Sequence, residues 1–179
     1  MKQVKRLLET AKSDQSPIIY PFIVIALETS MRRMEVLSIR IENIDLDRRV
    51  IYIPRAKAGA REQPITGNLA EFLFSYVDAA QPEQEWLFPS VASETGHKTA
   101  IEKPFRRVVE QADLDPKVVV RHTLRHTAIS HLVQAGVDLP TVQRISGHKT
   151  LEMVVRYSHQ NGEHIQAAMD KLEERYAVS

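Results

Sequence analysis

A single short segment interrupts a chain whose apolar residues otherwise recur at helical spacing. Within residues 43–54, β-branched and aromatic side chains cluster, most densely in the Val-Ile-Tyr-Ile run at residues 50–53, a composition typical of strands. Residues 45–49 predict the turn between two strands, residues 56–60 a second turn, and residues 62–65 a third strand. We therefore expect a small three-stranded antiparallel sheet inserted into a helical body, which is a mainly helical α+β fold.

Apolar spacings of three and four residues predict helices on both sides of this sheet. The predicted helices cover residues 4–11, 18–28, 34–39, 68–77, 100–112, 122–135, 139–146, 151–157 and 163–176. Asn68 is the predicted N-cap of the fourth helix, and Gly136 and Gly147 are predicted to end two later ones. With 179 residues and no internal repeat, the chain is predicted to form one domain over residues 1–179 with its own core.

Composition excludes several classes of protein. The chain has no Cys, which rules out disulfide frameworks, thiolate zinc sites, iron–sulfur clusters and cysteine nucleophiles. The most apolar stretch, residues 17–27, is too short to span a bilayer and contains Tyr20 and Pro21. The basic first residues are not followed by the apolar region that a signal peptide requires. We expect a cytoplasmic protein with no membrane contact, no metal and no cofactor.

The distribution of charge is more informative than its sum. The net charge is only +1, which does not by itself indicate a nucleic-acid binder. Residues 117–159, however, contain six basic and two acidic side chains together with five of the seven His. The segment after them is acidic, so the chain combines a basic, His-rich region with an acidic end.

Two side chains in the basic region form a pair suited to phosphate. His122 and Arg125 are three residues apart on a predicted helix and so share a face. Arg grips phosphate or carboxylate with a planar fork of donors, and His carries a proton near neutral pH. A solvated helix face also explains this pair, a helix stop explains Gly147-His148, and packing explains Tyr157. Each signal alone leaves both interpretations open.

Two further candidates lie nearer the N-terminus. Arg32 follows the apolar helix at residues 18–28, and Glu35 lies three residues beyond it, where its carboxylate could steady the guanidinium. An ordinary surface ion pair is the alternative interpretation. Lys57 falls in the predicted turn of the second hairpin, where a solvated Lys is ordinary.

The ordered set of these residues is far more specific than any one of them. Arg, Lys, His-x-x-Arg, Gly-His and Tyr, in this order and at these spacings, resemble the catalytic domain of the tyrosine recombinase (phage integrase) family. The similarity runs from about residue 28 to residue 159 and includes His122-Thr-Leu-Arg-His-Thr, Ser146-Gly-His-Lys-Thr and Arg156-Tyr-Ser-His. It implies the fold of the DNA breaking–rejoining enzymes. By this resemblance the catalytic residues are Arg32, Lys57, His122, Arg125, His148 and the nucleophile Tyr157, with Glu35 as their acidic support.

Three positions depart from the pattern of the family. Ser30 stands where Gly is usual, Met34 where a small residue is usual, and Thr123 where Asp is common. None of the three changes removes a reactive group. They bear on local backbone shape rather than on the chemistry.

The reaction implied by the resemblance is a transesterification on DNA. Tyr157 would attack a phosphodiester, leaving a 3′-phosphotyrosyl bond and a free 5′-hydroxyl. The implied roles are phosphate clamping by Arg32 and Arg125, a hydrogen bond from His148, general-acid catalysis by Lys57 and assisted deprotonation of the tyrosine by His122. The covalent ester preserves the bond energy, so neither a metal nor ATP is expected.

The implied partner is double-stranded DNA, and Arg121, Arg144 and Lys149 are the expected contacts to it within the basic region. Recombinases of this family assemble on DNA as tetramers, so self-association is expected of the full-length enzyme. The C-terminal residues 160–179 are predicted to pack on their own domain or to dock on a neighbouring protomer.

Two alternatives to a site-specific recombinase share these residues or this face. A type IB-like topoisomerase would use the same active site, and a non-catalytic helical module would bind DNA through the same basic face. The chain starts only about thirty residues before Arg32. We therefore expect the smaller DNA-binding domain that usually precedes the catalytic domain to be absent.

Overall fold

The computed structural model describes residues 2–56, 59–158 and 163–176 and is helical on both sides of one small sheet. The elements, in chain order, are α1 (Lys2–Lys12), α2 (Ile19–Thr29), α3 (Arg33–Leu37), a 3₁₀ turn (Ile41–Asn43), β1 (Ile44–Asp45), β2 (Val50–Ile53), β3 (Arg61–Pro64), α4 (Gly67–Asp78), α5 (Glu102–Gln111), α6 (Arg121–Gln134), α7 (Leu139–Ser146), α8 (Glu152–Val155) and α9 (Glu163–Tyr176). Among the helices so described, none has both the length and the apolar character needed to cross a membrane. The predicted α+β fold class is confirmed.

The sheet has the predicted topology. Its strands follow the order β1-β2-β3 and are antiparallel throughout, with Ile51 paired to Gln63 and Ile53 paired to Arg61. Alternation along β2 buries Ile51 and Ile53 and leaves Tyr52 exposed. The third strand begins and ends one residue earlier than predicted, at Arg61 and Pro64, because its main chain pairs with β2 over these residues.

Two apolar cores divide the molecule. The larger one surrounds α2, whose Phe22 and Ile25 are fully buried, and it includes Leu124 of α6. The smaller one joins α6, α7 and α8. Its buried members are Ile129, Val133, Val142, Val154 and Tyr157. Each fully buried aliphatic side chain contributes roughly 1.5–3 kcal/mol. Because α6 has buried residues in both cores, both hold it in place. The boundary between the two cores, here called the seam, lies on α6 between Leu124 and Ile129.

Two helices have ends that differ from the prediction because of local hydrogen bonds at those ends. Thr66, not Asn68, caps α4, because its extended backbone lets Oγ1 accept the N–H of Leu69 at 3.1 Å. The prediction of Asn68 as the cap was wrong. The helix predicted at residues 151–157 ends at Val155, and the N–H of Tyr157 donates to the carbonyl of Val154 in a tighter turn.

The C-terminal helix α9 exposes Met169 and Leu172. The docking predicted for residues 160–179 stays a prediction, and residues 160–162 and 177–179 lie outside the described residues.

Candidate active site

Arg32 is fixed at the N-terminus of α3 by Glu35. The main-chain N–H of Arg32 donates to Oε2 of Glu35 at 2.9 Å, and its Nη1 donates to Oε1 at 3.0 Å. Its Nη2 donates to the carbonyl of Gly147 at 3.1 Å. Because the Glu35 side chain is only 5% exposed, its ion pair with Arg32 is internal and not a surface ion pair.

Arg61 is the second cationic partner of Glu35, and sequence reasoning missed it. Its Nη2 lies 3.2 Å from Oε2 of Glu35, and its Nη1 donates to Oε1 of Gln63 at 2.5 Å. Burial is the main cause that lowers the pKa of Arg61, and Glu35 opposes that shift. Arg61 therefore ties the β2–β3 hairpin to the same carboxylate that holds Arg32.

Gly147 is enclosed by these two arginines. It ends α7 with a φ of +64°, a left-handed conformation that favours glycine. A Cβ atom built on it would lie 2.8 Å from Nε of Arg61 and 3.1 Å from its Cζ. Only glycine lets Arg61 pack on this turn while Arg32 binds its carbonyl.

Replacing Gly147 with Ala is expected to lower the free energy of unfolding by about 1–3 kcal/mol, from the left-handed backbone and the contact with Arg61 together. Urea denaturation measures the change. Gly59→Ala is the matched control, since Gly59 also has a positive φ, +103°, but open space around its Cβ position. Equal losses for the two variants would show that the contact with Arg61 contributes nothing.

Arg125 is the most deeply placed guanidinium of the site. Its residue is 8% exposed on α6, its Nη1 donates to the carbonyl of Ser30, and its Nη2 donates to Nε2 of His148 at 3.2 Å. Burial, followed by the charge of Arg32, lowers the pKa of Arg125 to about 10. It still carries its charge at pH 7, next to a second cation, which makes the position favourable for an anion.

The left-handed conformation of Ser30 explains one departure from the family pattern. Ser30 has a φ of +56° and caps the C-terminus of α2, so its position is one that glycine adopts without strain. This conformation presents the Ser30 carbonyl to Arg125. The substitution changes local strain and leaves that contact in place.

His148 accepts a hydrogen bond in this structure. Arg has no acceptor atom, so Nη2 of Arg125 donates to Nε2 of His148, and that nitrogen carries no proton. Nδ1 lies 2.7 Å from Oγ of Ser146 and is the protonated ring nitrogen that donates to it. Burial and the charges of Arg125, Arg32 and Arg156 lower the pKa of His148 to about 4. The imidazole is therefore neutral at pH 7.

The depressed pKa of His148 makes stability depend on pH. In the unfolded chain His titrates near 6.5, so between pH 6.5 and 4 the unfolded state binds more protons and stability falls as pH is lowered. We expect the free energy of unfolding to drop by about 1–2 kcal/mol between pH 7 and 5 from this residue. His148→Gln keeps an acceptor for Arg125 and cannot titrate in this range. Urea unfolding at pH 7, 6 and 5 should show a flatter profile for the variant, and parallel profiles would contradict the assignment.

Tyr157 lies in the smaller core with its hydroxyl at the seam. The residue is 6% exposed, and its ring centroid lies 6.5 Å from that of His148. Its Oη lies 2.5 Å from Nδ1 of His126 and accepts a hydrogen bond from Nη2 of Arg156 at 3.3 Å. His126 is not among the site residues predicted from the sequence, so the prediction missed this contact with the phenol.

The other predicted site residues that the structure describes lie outside this cluster of side chains. His122 is exposed in the first turn of α6, and no side-chain hydrogen bond within the described part of the chain involves it. Arg121 pairs with Glu102, which also pairs with Arg33. The predicted DNA contacts Arg144 and Lys149 are exposed. The predicted general acid Lys57 lies outside the described residues.

The site thus brings together groups from segments distant in sequence. Arg32, Arg125, His148 and Tyr157 meet where α2, α3, α6 and the ends of α7 and α8 converge. Two guanidiniums with fixed orientations, a neutral imidazole and a phenol form a site for a phosphate ester beside an oxygen nucleophile. Over the described ranges, no group of three or more acidic or His side chains could hold a metal ion.

The fold is that of integrase and recombinase catalytic domains. The solved catalytic domain of bacteriophage HP1 integrase superposes with a TM-score of 0.73 at 23% identity, covering 99% of this chain and 96% of that one. The Tn1549 transposon integrase, solved in complex with circular intermediate DNA, superposes with a TM-score of 0.78 at 22% identity, over 96% of this chain and 65% of that one.

Sequence comparison gives the family. The profile described as "Phage integrase family" matches residues 1–164, and the chain belongs to that family. The tyrosine recombinase XerC of Erythrobacter litoralis is 26% identical over 99% of this chain and 59% of its own length. A putative integrase of Pseudomonas phage Pf1 is 30% identical over 94% of this chain and 46% of its length. The chain thus spans about half the length of these relatives, and the predicted family is confirmed.

Proposed function

We propose that this chain is the catalytic domain of a site-specific DNA recombinase that cuts and rejoins double-stranded DNA through a covalent 3′-phosphotyrosine at Tyr157. The observation that carries the proposal is the meeting of Arg32, Arg125, His148 and Tyr157 at one seam. Relatives named tyrosine recombinases and integrases, and a transposon integrase solved with DNA, support the class of substrate.

Arg32 and Arg125 are assigned to the non-bridging oxygens of the scissile phosphate. These oxygens gain charge in the transition state, and donors fixed in advance stabilise that charge without reorganising. Glu35 holds Arg32, and the Ser30 carbonyl holds Arg125, so both guanidiniums are oriented before the substrate arrives. The pairing with Glu35 and Ser30 uses only part of each donor fork.

His148 changes its role when phosphate binds. An anion between Arg32 and Arg125 offsets the two charges that, after burial, hold the pKa of His148 down. The imidazole then takes up a proton at Nε2 and donates a hydrogen bond to a phosphate oxygen, as the family resemblance implies. Phosphate binding is thereby coupled to proton uptake.

Lys57 is assigned to the leaving group. Cleavage releases a 5′-oxygen that needs a proton, and an ammonium in the segment joining β2 to β3 would supply it. The hairpin itself is anchored to the site by Arg61 and Glu35. The phenolic proton of Tyr157 must also leave, and His122 is the group that the sequence predicts for this step.

Double-stranded DNA is the proposed partner, and the basic region is the proposed contact surface. Arg144 and Lys149 are exposed next to Gly147 and His148. Arg121, at the start of α6, is held by Glu102 and would contact the DNA backbone next to the site. Such phosphate contacts dominate affinity and weaken as salt rises. Self-association on DNA, with α9 as the docking element, belongs to the same proposal.

The direct test is capture of the covalent intermediate. The 179-residue protein is incubated with a pool of nicked duplexes carrying a randomised core, in which cleavage releases a short strand that cannot religate. We expect an adduct stable to detergent, with its DNA 3′-phosphate on the peptide containing Tyr157. Sequencing of the trapped DNA gives the preferred duplex. Recombination between two copies of that duplex then separates a recombinase from a type IB-like topoisomerase.

Absence of the adduct, or its attachment to another residue, would contradict the proposal. DNA binding with no adduct under any ionic condition would favour the non-catalytic module instead.

A further inference from the structure

Among the residues that the structure describes, the hydroxyl of Tyr157 has two polar partners, and His126 is the one that can take its proton. Nδ1 of His126 lies 2.5 Å from Oη, and the two rings lie 5.7 Å apart between centroids. Nη2 of Arg156 lies 3.3 Å from the same oxygen. Arg can only donate, so it occupies a lone pair of Oη. The phenolic hydrogen is therefore directed at Nδ1 of His126.

We propose that His126 is the general base that accepts the phenolic proton when Tyr157 attacks DNA. The inference rests on the proposed function and adds to it a catalytic residue. His126 touches the reacting oxygen, and Arg156 on the other side stabilises the negative charge that develops on that oxygen.

The charged surroundings keep His126 in the form that a base requires. Burial is the main cause that lowers its pKa, followed by Arg156, His122 and Arg125. The ring of His148 also lies close to that of Tyr157, and before DNA binds it is neutral at pH 7. His126 is thus unprotonated at neutral pH, and an unprotonated Nδ1 can accept.

The proposed step conserves atoms and charge. The Oη–H bond of Tyr157 breaks, the proton passes to Nδ1 of His126, and an electron pair of Oη forms the bond to phosphorus. The bond from phosphorus to the 5′-oxygen breaks, and that oxygen takes a proton from the ammonium assigned to Lys57. During rejoining the 5′-hydroxyl attacks phosphorus and returns its proton to Lys57, the bond from phosphorus to Oη of Tyr157 breaks, and His126 gives its proton back to Oη.

His122, the residue predicted for this role, is less well placed. It lies one turn earlier on α6, in the first turn of that helix, and among the described residues no hydrogen bond joins it to Tyr157. His126 lies four residues later on the same helix, and its Nδ1 contacts the hydroxyl of Tyr157, whose ring packs in the smaller core. The structure therefore favours His126 over His122, the histidine to which the family resemblance assigns this step.

The test compares His126→Asn, His122→Asn and His131→Asn on the duplex selected above. Asn keeps an acceptor oxygen near the position of Nδ1 and cannot take a proton at neutral pH, so it preserves positioning and removes base catalysis. His131 is the matched control on α6, where it lines a cavity with Thr66 and Leu132 and, among the described residues, makes no hydrogen bond with Tyr157. Because the His126 side chain is exposed, we expect its variant to fold, which circular dichroism checks.

At pH 7 we expect His126→Asn to slow single-turnover cleavage by about 100-fold, and His131→Asn to stay within twofold. The unaltered protein should reach a pH-independent rate once His126 is unprotonated. The His126→Asn rate should instead rise about tenfold per pH unit between pH 6 and 9, as the phenol ionises unaided. A merely structural role would shift the rate without changing this profile.

A duplex with sulfur in place of the bridging 5′-oxygen gives a second readout. Sulfur leaves without a proton, so loss of a proton donor is rescued on this substrate, whereas the loss in His126→Asn should be undiminished.

Three results would overturn the inference. They are a His126→Asn rate within threefold of normal, transfer of the altered pH profile to His122→Asn, and rescue of His126→Asn by the sulfur substrate. The proposed function stands or fails separately, on whether the unaltered protein forms the adduct at Tyr157.

Discussion

Replacing Tyr157 with Phe is expected to abolish the covalent protein–DNA adduct completely. The substitution removes one oxygen, the proposed nucleophile, and leaves the ring packed in the smaller core with Ile129 and Val154. The hydrogen bonds from Arg156 and to His126 are lost, which costs about 1 kcal/mol of stability or less. DNA affinity should stay within about twofold, because phosphate contacts by Lys and Arg supply most of it.

Tyr76→Phe is the matched control for this experiment. Tyr76 lies on α4 and packs between Phe72 and Phe88, within the larger core. Burial raises the pKa of Tyr76, so it is a poor nucleophile at neutral pH. This variant should form the adduct at the normal rate on the selected duplex. An adduct formed by Tyr157→Phe would assign the chemistry to another side chain.

The sequence predicts the fold because local patterns agree with the tertiary structure over most of the chain. The change of period at residues 43–54 locates the hairpin, and the helical spacing before and after it locates α2 and α7. The order and spacing of Arg32, His122-x-x-Arg125 and Gly147-His148 indicate the family. The prediction missed the 3₁₀ turn at Ile41–Asn43 and misplaced the ends of several elements, as at α4, which Thr66 caps.

Arg61 could not be assigned from the sequence, because its role depends on a contact across the fold. It lies in β3, where side chains alternate between the two faces of the sheet and Gln63 is the buried residue of the strand. Its guanidinium reaches Glu35, 26 residues earlier, and packs against Gly147 in a third segment. Nothing in the local pattern distinguishes this residue from the exposed Arg48 or Arg49.

The two histidines of α6 illustrate a different limit. Helical spacing places His126 one turn beyond His122, but it does not say which of the two faces Tyr157. That choice is made by the smaller core, in which Ile129 and Val133 of α6 pack with Val154 of α8. The acceptor role of His148 likewise depends on the buried charge of Arg125, a tertiary property.

Replacing Arg125 with Lys is expected to slow cleavage about 1,000-fold while weakening DNA binding far less. A buried guanidinium here binds the Ser30 carbonyl with Nη1 and His148 with Nη2 and keeps further N–H groups for phosphate. An ammonium is a point charge that cannot satisfy all three directions. Loss of one such donor in other transition-state sites costs about 10²–10³ in rate, and the lost orientation of His148 adds to it.

Two measurements separate this effect from unfolding. Leaving the Ser30 carbonyl or His148 unpaired costs about 1–3 kcal/mol, so urea denaturation must show that Arg125→Lys stays folded under assay conditions. Arg106→Lys is the control, since Arg106 is exposed on α5 and pairs with Glu110 one turn away. It should cleave normally. If Arg125→Lys retained more than a tenth of the normal single-turnover rate, the guanidinium would not be the group that stabilises the transition state, and Arg32 alone would have to supply that stabilisation.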